Sequence, residues 1–161
     1  MATIRIRPGE PSDAATIVNF VRQLASYERQ PIEQMKLTEA EVLRDGFPPT
    51  ARFETLIAEM DGEPVGLALF YHDYSTWEAR HGIWVEDLFV NENVRRHGIG
   101  RRLLSEVARI GIERGCCRLG LSVLTWNPAR EFYKRLGFAP TGEAIPLSVS
   151  GDALAGLAKF G

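Results

Sequence analysis

Apolar and polar residues alternate in short blocks along this 161-residue chain, and the spacing of the apolar positions changes from block to block. Residues 3–7 alternate strictly, which is typical of a half-buried strand. Apolar side chains from Ile17 to Leu24 then recur at helical spacing, and this pattern extends to about Glu28. The chain is therefore predicted to open with a strand followed by a helix.

A second helix is predicted from its capping residues. Thr38 and Glu41 have the spacing of a capping box, and Leu37 and Val42 have that of a hydrophobic staple. Gly46 follows the last helical position, where glycine commonly ends a helix.

The middle of the chain contains a hairpin signal. Asp61-Gly62 separates two apolar runs, residues 53–60 and 65–74, and this dipeptide favours the tight turn that needs positive φ. The remaining predicted elements are a central strand over 83–90, a helix over 98–114, a strand over 118–123, a helix over 128–136 and a return strand from Phe138 onward. The pattern predicts a mixed α/β fold, with residues 1–161 forming one domain.

Composition narrows the class of protein. The formal net charge is −2, which disfavours a nucleic-acid partner. The chain has no apolar run of about 18 residues and no signal-peptide core, so we expect a cytoplasmic protein without a membrane span. Cys116 and Cys117 are adjacent, which argues against a disulfide framework, and the three histidines are too scattered for a metal site. We therefore expect no metal.

The segment after the central strand carries the clearest chemistry. Arg95, Arg96, Arg101 and Arg102 place four cations around Gly98 and Gly100 at the start of a predicted helix. A helix N-terminus presents unpaired N–H groups and a positive dipole end, and glycine allows a ligand to approach the backbone closely. These features predict a phosphate-binding site. The spacing matches neither the dinucleotide fingerprint nor the P-loop.

Read as R-x-x-G-x-G, residues 95–100 resemble the acetyl-CoA pyrophosphate loop of the GNAT family of N-acetyltransferases. Residues 126–128 and 131–138 resemble that family's second cofactor-binding segment. The chain is most similar to the branch of diamine (spermidine/spermine) and thialysine N-acetyltransferases. The segments that carry this similarity are residues 24–28, 37–39, 45–47, 70–77 and 86–87, and the resemblance spans about residues 4–138.

The resemblance implies a single-domain fold with a mixed, mostly antiparallel central sheet flanked by helices, and acetyl-CoA as the co-substrate. It implies that the backbone of the central strand pairs with the pantetheine arm as an added strand would, and that one backbone N–H there polarises the acetyl carbonyl. The expected cofactor-binding residues are Leu88, Phe89, Val90, Arg95, Arg96, His97, Gly98, Ile99, Gly100, Arg101 and Asn127.

Acetyl transfer to an alkylammonium, with a pKa of about 10, needs a base. Glu86 and Asp87 are the candidates, and strand alternation sends them to opposite faces unless a bulge intervenes. By resemblance we expect Glu86 to be the base, with Asp87 as second choice, and Tyr133 to be the general acid. The alternatives are an ion pair or strand cap for the two carboxylates and a core tyrosine for Tyr133. Asn127 is also a candidate N-cap of the following helix.

The expected acceptor is a primary amine of a small molecule, either a diamine or polyamine or a thialysine-like compound, which attacks directly in a ternary complex. The expected substrate-binding residues are Tyr27, Glu28, Glu86, Asp87 and Glu143. We predict that the aromatic residues Tyr71, Tyr74, Trp77 and Trp84 serve core or dimer packing, with a wall of the acceptor cleft as the alternative. The apolar tail over 153–160 favours a homodimer.

Two other functions fit the same residues. One is acetylation of protein lysines or N-terminal amines, and the other is noncatalytic binding of acyl-CoA. Glu86 and Tyr133 argue against the noncatalytic module.

Overall fold

The computed structural model describes residues 1–159, which form two compact units divided after Asn127. In the first unit the strands are β1 (Ile4–Pro8), β2 (Glu54–Met60), β3 (Glu63–Ser75), β4 (Arg80–Val90) and β5 (Leu119–Leu121). Its α-helices are α1 (Ala14–Tyr27), α2 (Glu39–Asp45) and α3 (Ile99–Glu113). The second unit contains α4 (Ala129–Arg135) and α5 (Gly151–Ala158).

Within the described residues the strands form one sheet in the order β1-β2-β3-β4-β5. The first four strands pair antiparallel, and β4 pairs with β5 in parallel. The mixed, mostly antiparallel sheet expected from the sequence is therefore confirmed.

Helices cover both faces of this sheet. On one face, Ile17 and Phe20 of α1 belong to a buried cluster with Leu67 and Leu69 of β3 and Phe89 of β4. On the other face, the side chain of Leu103 in α3 lies close to Gly66 of β3. The opposite placement of α1 and α3 follows from the alternation of neighbouring residues along β3.

Local sequence signals in the first unit are confirmed. Asp61 and Gly62 adopt φ values of 53° and 87°, the conformation that a tight hairpin turn requires. Thr38 and Glu41 form the predicted capping box at the start of α2, and Gly46 is the C-cap.

An ion network fixes the start of α1. The Arg7 guanidinium donates to both carboxylate oxygens of Asp13, at 2.7 and 3.0 Å, and to Glu59 at 2.6 Å. The hydrogen bonds from Arg7 hold the pKa of the Asp13 carboxyl below its usual range. The network ties β1, β2 and the turn before α1 together. α1 is thereby anchored at the end opposite to Glu28.

One prediction for the second unit is wrong. We expected a return strand from Phe138 onward, but residues 138–150 form no strand. The Phe138 N–H instead donates to the Tyr133 carbonyl, and Gly137 has a φ of 93°, so both residues close the C-terminus of α4. Pro140 and Pro146 lack the N–H that a strand needs at these positions.

The end of the chain forms a short helix. Leu154 and Leu157 of α5 are 51% and 63% exposed, so this part of the predicted apolar tail presents its side chains to solvent. Phe160, which we counted in the same tail, lies outside the described residues. Over residues 1–159, no helix is long and apolar enough to span a bilayer.

Candidate active site

One edge of β4 has a strand neighbour for only part of its length. β5 pairs with Ile83, Trp84 and Val85, and no described strand continues beside Leu88 to Val90 on that side. The backbone N–H and C=O groups of an unpaired strand edge are available to an extended ligand. This geometry fits the pantetheine arm that we expect along Leu88, Phe89 and Val90.

The loop between β4 and α3 has the backbone of an anion site. Gly98 is the N-cap of α3 with a φ of 74°, and the first N–H with a helical partner is that of Arg102, which donates to the Gly98 carbonyl. The N–H groups of Ile99, Gly100 and Arg101 therefore lie in the turn that leaves donors unpaired. The Ile99 side chain is buried and anchors this turn.

The two residues before Gly98 shape the loop in different ways. Arg96 is exposed and adopts a φ of 76°, a left-handed conformation that residues with a Cβ rarely adopt. The His97 Nδ1 lies 3.0 Å from the Val94 carbonyl oxygen. The side chain of Arg96 thus keeps its charge at the solvent-facing rim of the loop.

A β-bulge lies where the predicted base is located. Leu69 pairs with Asp87 and Phe70 with Val85, so Glu86 is an extra residue in β4 with no partner opposite. A bulge interrupts the alternation of side chains along a strand. Strand alternation therefore does not force Glu86 and Asp87 onto opposite faces of the sheet.

The bulge brings Glu86 and Asp87 to the same face of the sheet. Tyr71 shares its face with Leu69, two residues earlier in β3, and the Tyr71 hydroxyl donates to Glu86 Oε2 at 2.9 Å. Asp87 shares its face with Phe89, two residues later in β4. Since Leu69 and Phe89 both belong to the cluster beneath α1, both carboxylates lie on the α1 side.

Glu86 is held by two donors. The Trp84 indole Nε1–H donates to Glu86 Oε2 at 3.1 Å, and the Tyr71 hydroxyl donates to the same oxygen. Burial and the neighbouring Glu86 carboxylate raise the pKa of Tyr71 to about 12, so its hydroxyl stays a donor throughout the physiological range. The position of the Glu86 side chain is therefore fixed by protein contacts.

Asp87 differs from Glu86 in its electrostatics. It is partly buried, and burial together with the charges of Glu86 and Glu28 raises the pKa of Asp87 to about 6. Burial also raises the pKa of Glu28. A shift of this kind typifies acid–base groups in active sites. The three carboxylates form one electrostatic cluster at the C-terminal end of α1 and the bulge of β4.

Aromatic rings border this cluster. The Tyr27 ring centroid lies 6.3 Å from that of Trp126, and the Arg95 guanidinium lies 4.9 Å from the centroid of Tyr27. Tyr74 and Trp77, in contrast, are 55% and 98% exposed and have no part in a core of the described residues.

Three other predicted site residues remain: Asn127 is the last residue of the first unit, and Tyr133 and Glu143 belong to the second. Asn127 is buried, and its backbone N–H donates to the Leu124 carbonyl. The backbone of Pro128 is already helical, with φ −63° and ψ −15°, and a role of Asn127 as N-cap of α4 stays a prediction. In the second unit, Tyr133 makes ring contacts with Phe132 and Phe138, and Glu143 is exposed in an irregular segment.

Sequence reasoning missed two parts of the site. It favoured a packing role for Tyr71 and Trp84 over a place in the wall of the acceptor cleft. Both side chains instead hold Glu86, through hydrogen bonds that depend on the register of β3 against β4. It also overlooked Arg29, whose guanidinium lies over the Trp126 ring. The sequence did contain one signal for Arg29, because it stands just after the end of a helix, where glycine is common.

Comparison with known proteins identifies the family. The model of the Acetyltransferase (GNAT) family matches residues 20–138, which include the C-terminal half of α1, the bulged strand, the phosphate loop and α4. The chain belongs to the GNAT family. It is accordingly an acetyltransferase, as its sequence predicted.

Individual relatives agree with this assignment. The chain is 38% identical to a thialysine N-epsilon-acetyltransferase from Bos taurus, over 89% of each chain. It is 32% identical to the human spermidine/spermine N(1)-acetyltransferase-like protein 1, over 80% of this chain and 19% of that protein. A solved structure of an integron cassette protein from V. cholerae matches the fold with a TM-score of 0.80, at 24% identity over 98% of each chain.

The arrangement can attract and deprotonate a cation. The carboxylates of Glu28, Glu86 and Asp87 together favour an ammonium group, and the pKa of Asp87 is raised to about 6. Within residues 1–159, no group of three or more His, Cys, Asp or Glu side chains is arranged to hold a metal ion.

Proposed function

We propose that this protein transfers the acetyl group of acetyl-CoA to a primary amine of a small molecule that carries a second cationic group, such as a diamine, a polyamine or a thialysine-like amino acid. The observation that supports this most directly is the carboxylate cluster of Glu28, Glu86 and Asp87. A single alkylammonium needs one counter-ion, whereas three carboxylates suit two cationic groups. Two relatives carry the names of amines of this class, a thialysine N-epsilon-acetyltransferase and a spermidine/spermine N(1)-acetyltransferase-like protein.

We assign the base to Asp87 in place of Glu86. A catalytic base works best with a pKa near the working pH, and the pKa of Asp87 is raised to about 6. Glu86 is held by Tyr71 and Trp84, which suits a carboxylate that binds and orients an ammonium group. Glu28 then takes the distal cation of the acceptor, as the resemblance implies.

The first unit has the features that would hold acetyl-CoA. The N-terminal turn of α3 suits the pyrophosphate, with Arg96, His97 and Arg101 adding polar and charged side chains. The open edge of β4 suits the pantetheine amides, and Asn127 is assigned to the same arm. The thioester supplies the activated acetyl group.

The chemistry needs three proton transfers. Asp87 takes a proton from the ammonium, the freed amine nitrogen bonds to the acetyl carbon, and the carbon–sulfur bond breaks. A proton from the Tyr133 hydroxyl neutralises the departing thiolate, the role that the family resemblance implies for this residue, and the second proton that the nitrogen loses as the amide forms restores the tyrosine hydroxyl. Direct transfer needs no acetyl-enzyme intermediate.

A thiol-release assay across diamines, polyamines, amino acids with a side-chain amine, short monoamines and lysine peptides tests this function. We expect dications to be acetylated with the highest kcat/KM. Glu28→Gln should raise KM for diamines and leave that for monoamines nearly unchanged, because only a dication uses the distal contact. Glu33→Gln, at an exposed position, is the control. Equal effects of Glu28→Gln on both classes, or a preference for lysine peptides, would reject the proposed acceptor.

We also propose that the protein is a homodimer. The exposed side chains of Leu154 and Leu157 on α5 support association through an apolar surface. Light scattering that reports a monomer at every concentration would reject it. The cytoplasmic location stays a prediction.

A further inference from the structure

Four side chains of the first unit form a continuous stack in which two neighbouring rings lie between two cations. The Arg95 guanidinium lies 4.9 Å from the Tyr27 ring centroid, Tyr27 lies 6.3 Å from Trp126, and the Arg29 guanidinium lies 4.5 Å from the Trp126 centroid. These contacts lie in the ranges for cation–π and aromatic pairs. We call Arg95, Tyr27, Trp126 and Arg29 the cation–ring stack.

The stack joins three parts of the chain. Tyr27 and Arg29 flank Glu28 at the end of α1, Arg95 begins the phosphate loop, and Trp126 precedes Asn127. The Arg95 Nε–H also donates to the Val90 carbonyl at 3.1 Å, so the guanidinium is tied to the last residue of β4. The cofactor loop and the acceptor end of α1 are therefore in direct contact.

The backbone at Arg29 indicates that this side chain has a positioning role. The N–H of Arg29 donates to the Ser26 carbonyl and that of Gln30 to Ala25, the hydrogen bonds of a Schellman motif. Arg29 therefore occupies the position that usually holds glycine, and its φ is 58°. A residue with a Cβ is disfavoured there, yet this one places a guanidinium over Trp126.

We propose that the cation–ring stack holds the Glu28 carboxylate in place for the acceptor, with Arg95 acting through Tyr27 as a positioning residue in addition to any contact with the cofactor. The proposal rests on the proposed function, since it assigns the support of one acceptor contact. In sequence, Glu28 lies between Tyr27 and Arg29, two members of the stack. Its charge also contributes to the raised pKa of Asp87. A change in the phosphate loop is thus transmitted through Arg95 and Tyr27 to the acceptor site.

A double-mutant cycle tests the link between Arg95 and Tyr27. Arg95→Gln and Tyr27→Leu should each raise KM for a diamine about three- to tenfold with little change in kcat. The double variant should be no worse than the poorer single variant, because both changes break the same stack. The CoA dissociation constant should stay within about twofold in Tyr27→Leu, whether or not Arg95→Gln raises it.

The controls separate the stack from other effects. Arg22→Gln removes an exposed arginine from the same helix and should behave like the wild type, whereas Tyr27→Phe keeps the ring and should preserve the coupling to Arg95. Multiplicative effects of the two single changes on KM, or an unchanged KM in Tyr27→Leu, would overturn the proposal.

A second measurement needs no turnover. Carbon-13 NMR of labelled glutamate follows the titration of Glu28, whose pKa is raised by burial. Loss of the stack in Tyr27→Leu or Trp126→Leu should expose Glu28 and lower this pKa, whereas Arg22→Gln should not. If the wild type acetylates no amine, the proposed acceptor class fails, while an unmoved Glu28 pKa in both variants would reject the stack itself.

Discussion

The Tyr71 hydroxyl donates a 2.9 Å hydrogen bond to the Glu86 carboxylate across the β3–β4 pair. The bond forms at a bulge, where Glu86 has no partner residue on the opposite strand. Backbone pairing does not fix the position of Glu86 at the bulge. The hydrogen bond from Tyr71 holds the Glu86 carboxylate in place instead.

Tyr71→Phe should therefore impair acceptor binding. Hydrogen bonds to charged groups contribute roughly 1.5–3 kcal/mol, and the Trp84 indole retains part of the restraint, so we expect KM for the amine to rise about five- to twentyfold. Steady-state kinetics at saturating acetyl-CoA measure this. Tyr74→Phe is the matched control, since that side chain is exposed. An unchanged KM in Tyr71→Phe would show that the hydrogen bond has no part in acceptor binding.

The pH profile tests the choice of base. Asp87 must be ionised to accept a proton, so kcat/KM should rise with pH through about 6 and lose this limb in Asp87→Asn, with a fall of about 10²- to 10⁴-fold. Glu86→Gln should keep the limb and move it to lower pH, because the charge of Glu86 helps to raise the pKa of Asp87. If Glu86→Gln abolishes the limb and Asp87→Asn retains it, Glu86 is the base.

The same shift predicts a cost in stability. The pKa of Asp87 is higher in the folded protein than the usual value of about 4, so the ionised carboxylate destabilises the fold above pH 6. Asp87→Asn should raise the free energy of unfolding by about 1–3 kcal/mol at pH 7. The gain should shrink as the pH falls through 6 toward 4, where the wild-type carboxyl is protonated in the folded state and about half protonated in the unfolded state. Urea unfolding at pH 7 and pH 4 measures it, and an equal gain at both values would contradict the electrostatic cause.

Local signals explain which parts of this molecule were predictable. Asp61-Gly62 and the R-x-x-G-x-G segment specify their backbone within a few residues, and both have the expected conformation. The Glu86 bulge has no such signature. It depends on how β3 and β4 pair over their whole length, so the alternation rule alone left the faces of Glu86 and Asp87 undecided.

One of the remaining gaps comes from a long-range contact and the other from a local one. The contact between Arg95 and Tyr27 joins residues far apart in sequence, so the sequence pattern assigns Arg95 to the cofactor alone. Phe138 is apolar and follows a helix, which favours a strand, yet its N–H donates to the Tyr133 carbonyl and ends that helix. The local signal for this helix end was Gly137, because glycine commonly closes a helix.

Tyr133→Phe tests the general acid. The change removes one hydroxyl and keeps the ring contacts with Phe132 and Phe138, so the fold should be preserved. We expect kcat to fall about 10²- to 10⁴-fold with little change in the CoA dissociation constant, because only the transition state uses the proton. Single-turnover measurements isolate the chemical step. A chemical rate within about a factor of two of the wild type would make the tyrosine structural.

The two ends of α3 offer a matched test of the phosphate loop. Gly98 at the N-terminus and Gly115 after the C-terminus have φ values of 74° and 73°, and a Cβ at either position meets no atom within 4 Å. Valine at either site therefore imposes a similar backbone strain on the same helix.

Gly98→Val should raise the CoA dissociation constant at least tenfold, about 1.4 kcal/mol, because a branched side chain stands where the pyrophosphate must approach the backbone. Gly115→Val should lower the thermal midpoint of unfolding about as much as Gly98→Val does, and it should leave the CoA dissociation constant unchanged. Calorimetric titration of both variants separates a lost binding contact from a weakened helix. Equal losses of affinity at the two glycines would mean that strain in α3 explains the effect, and the phosphate site would then have to be sought elsewhere.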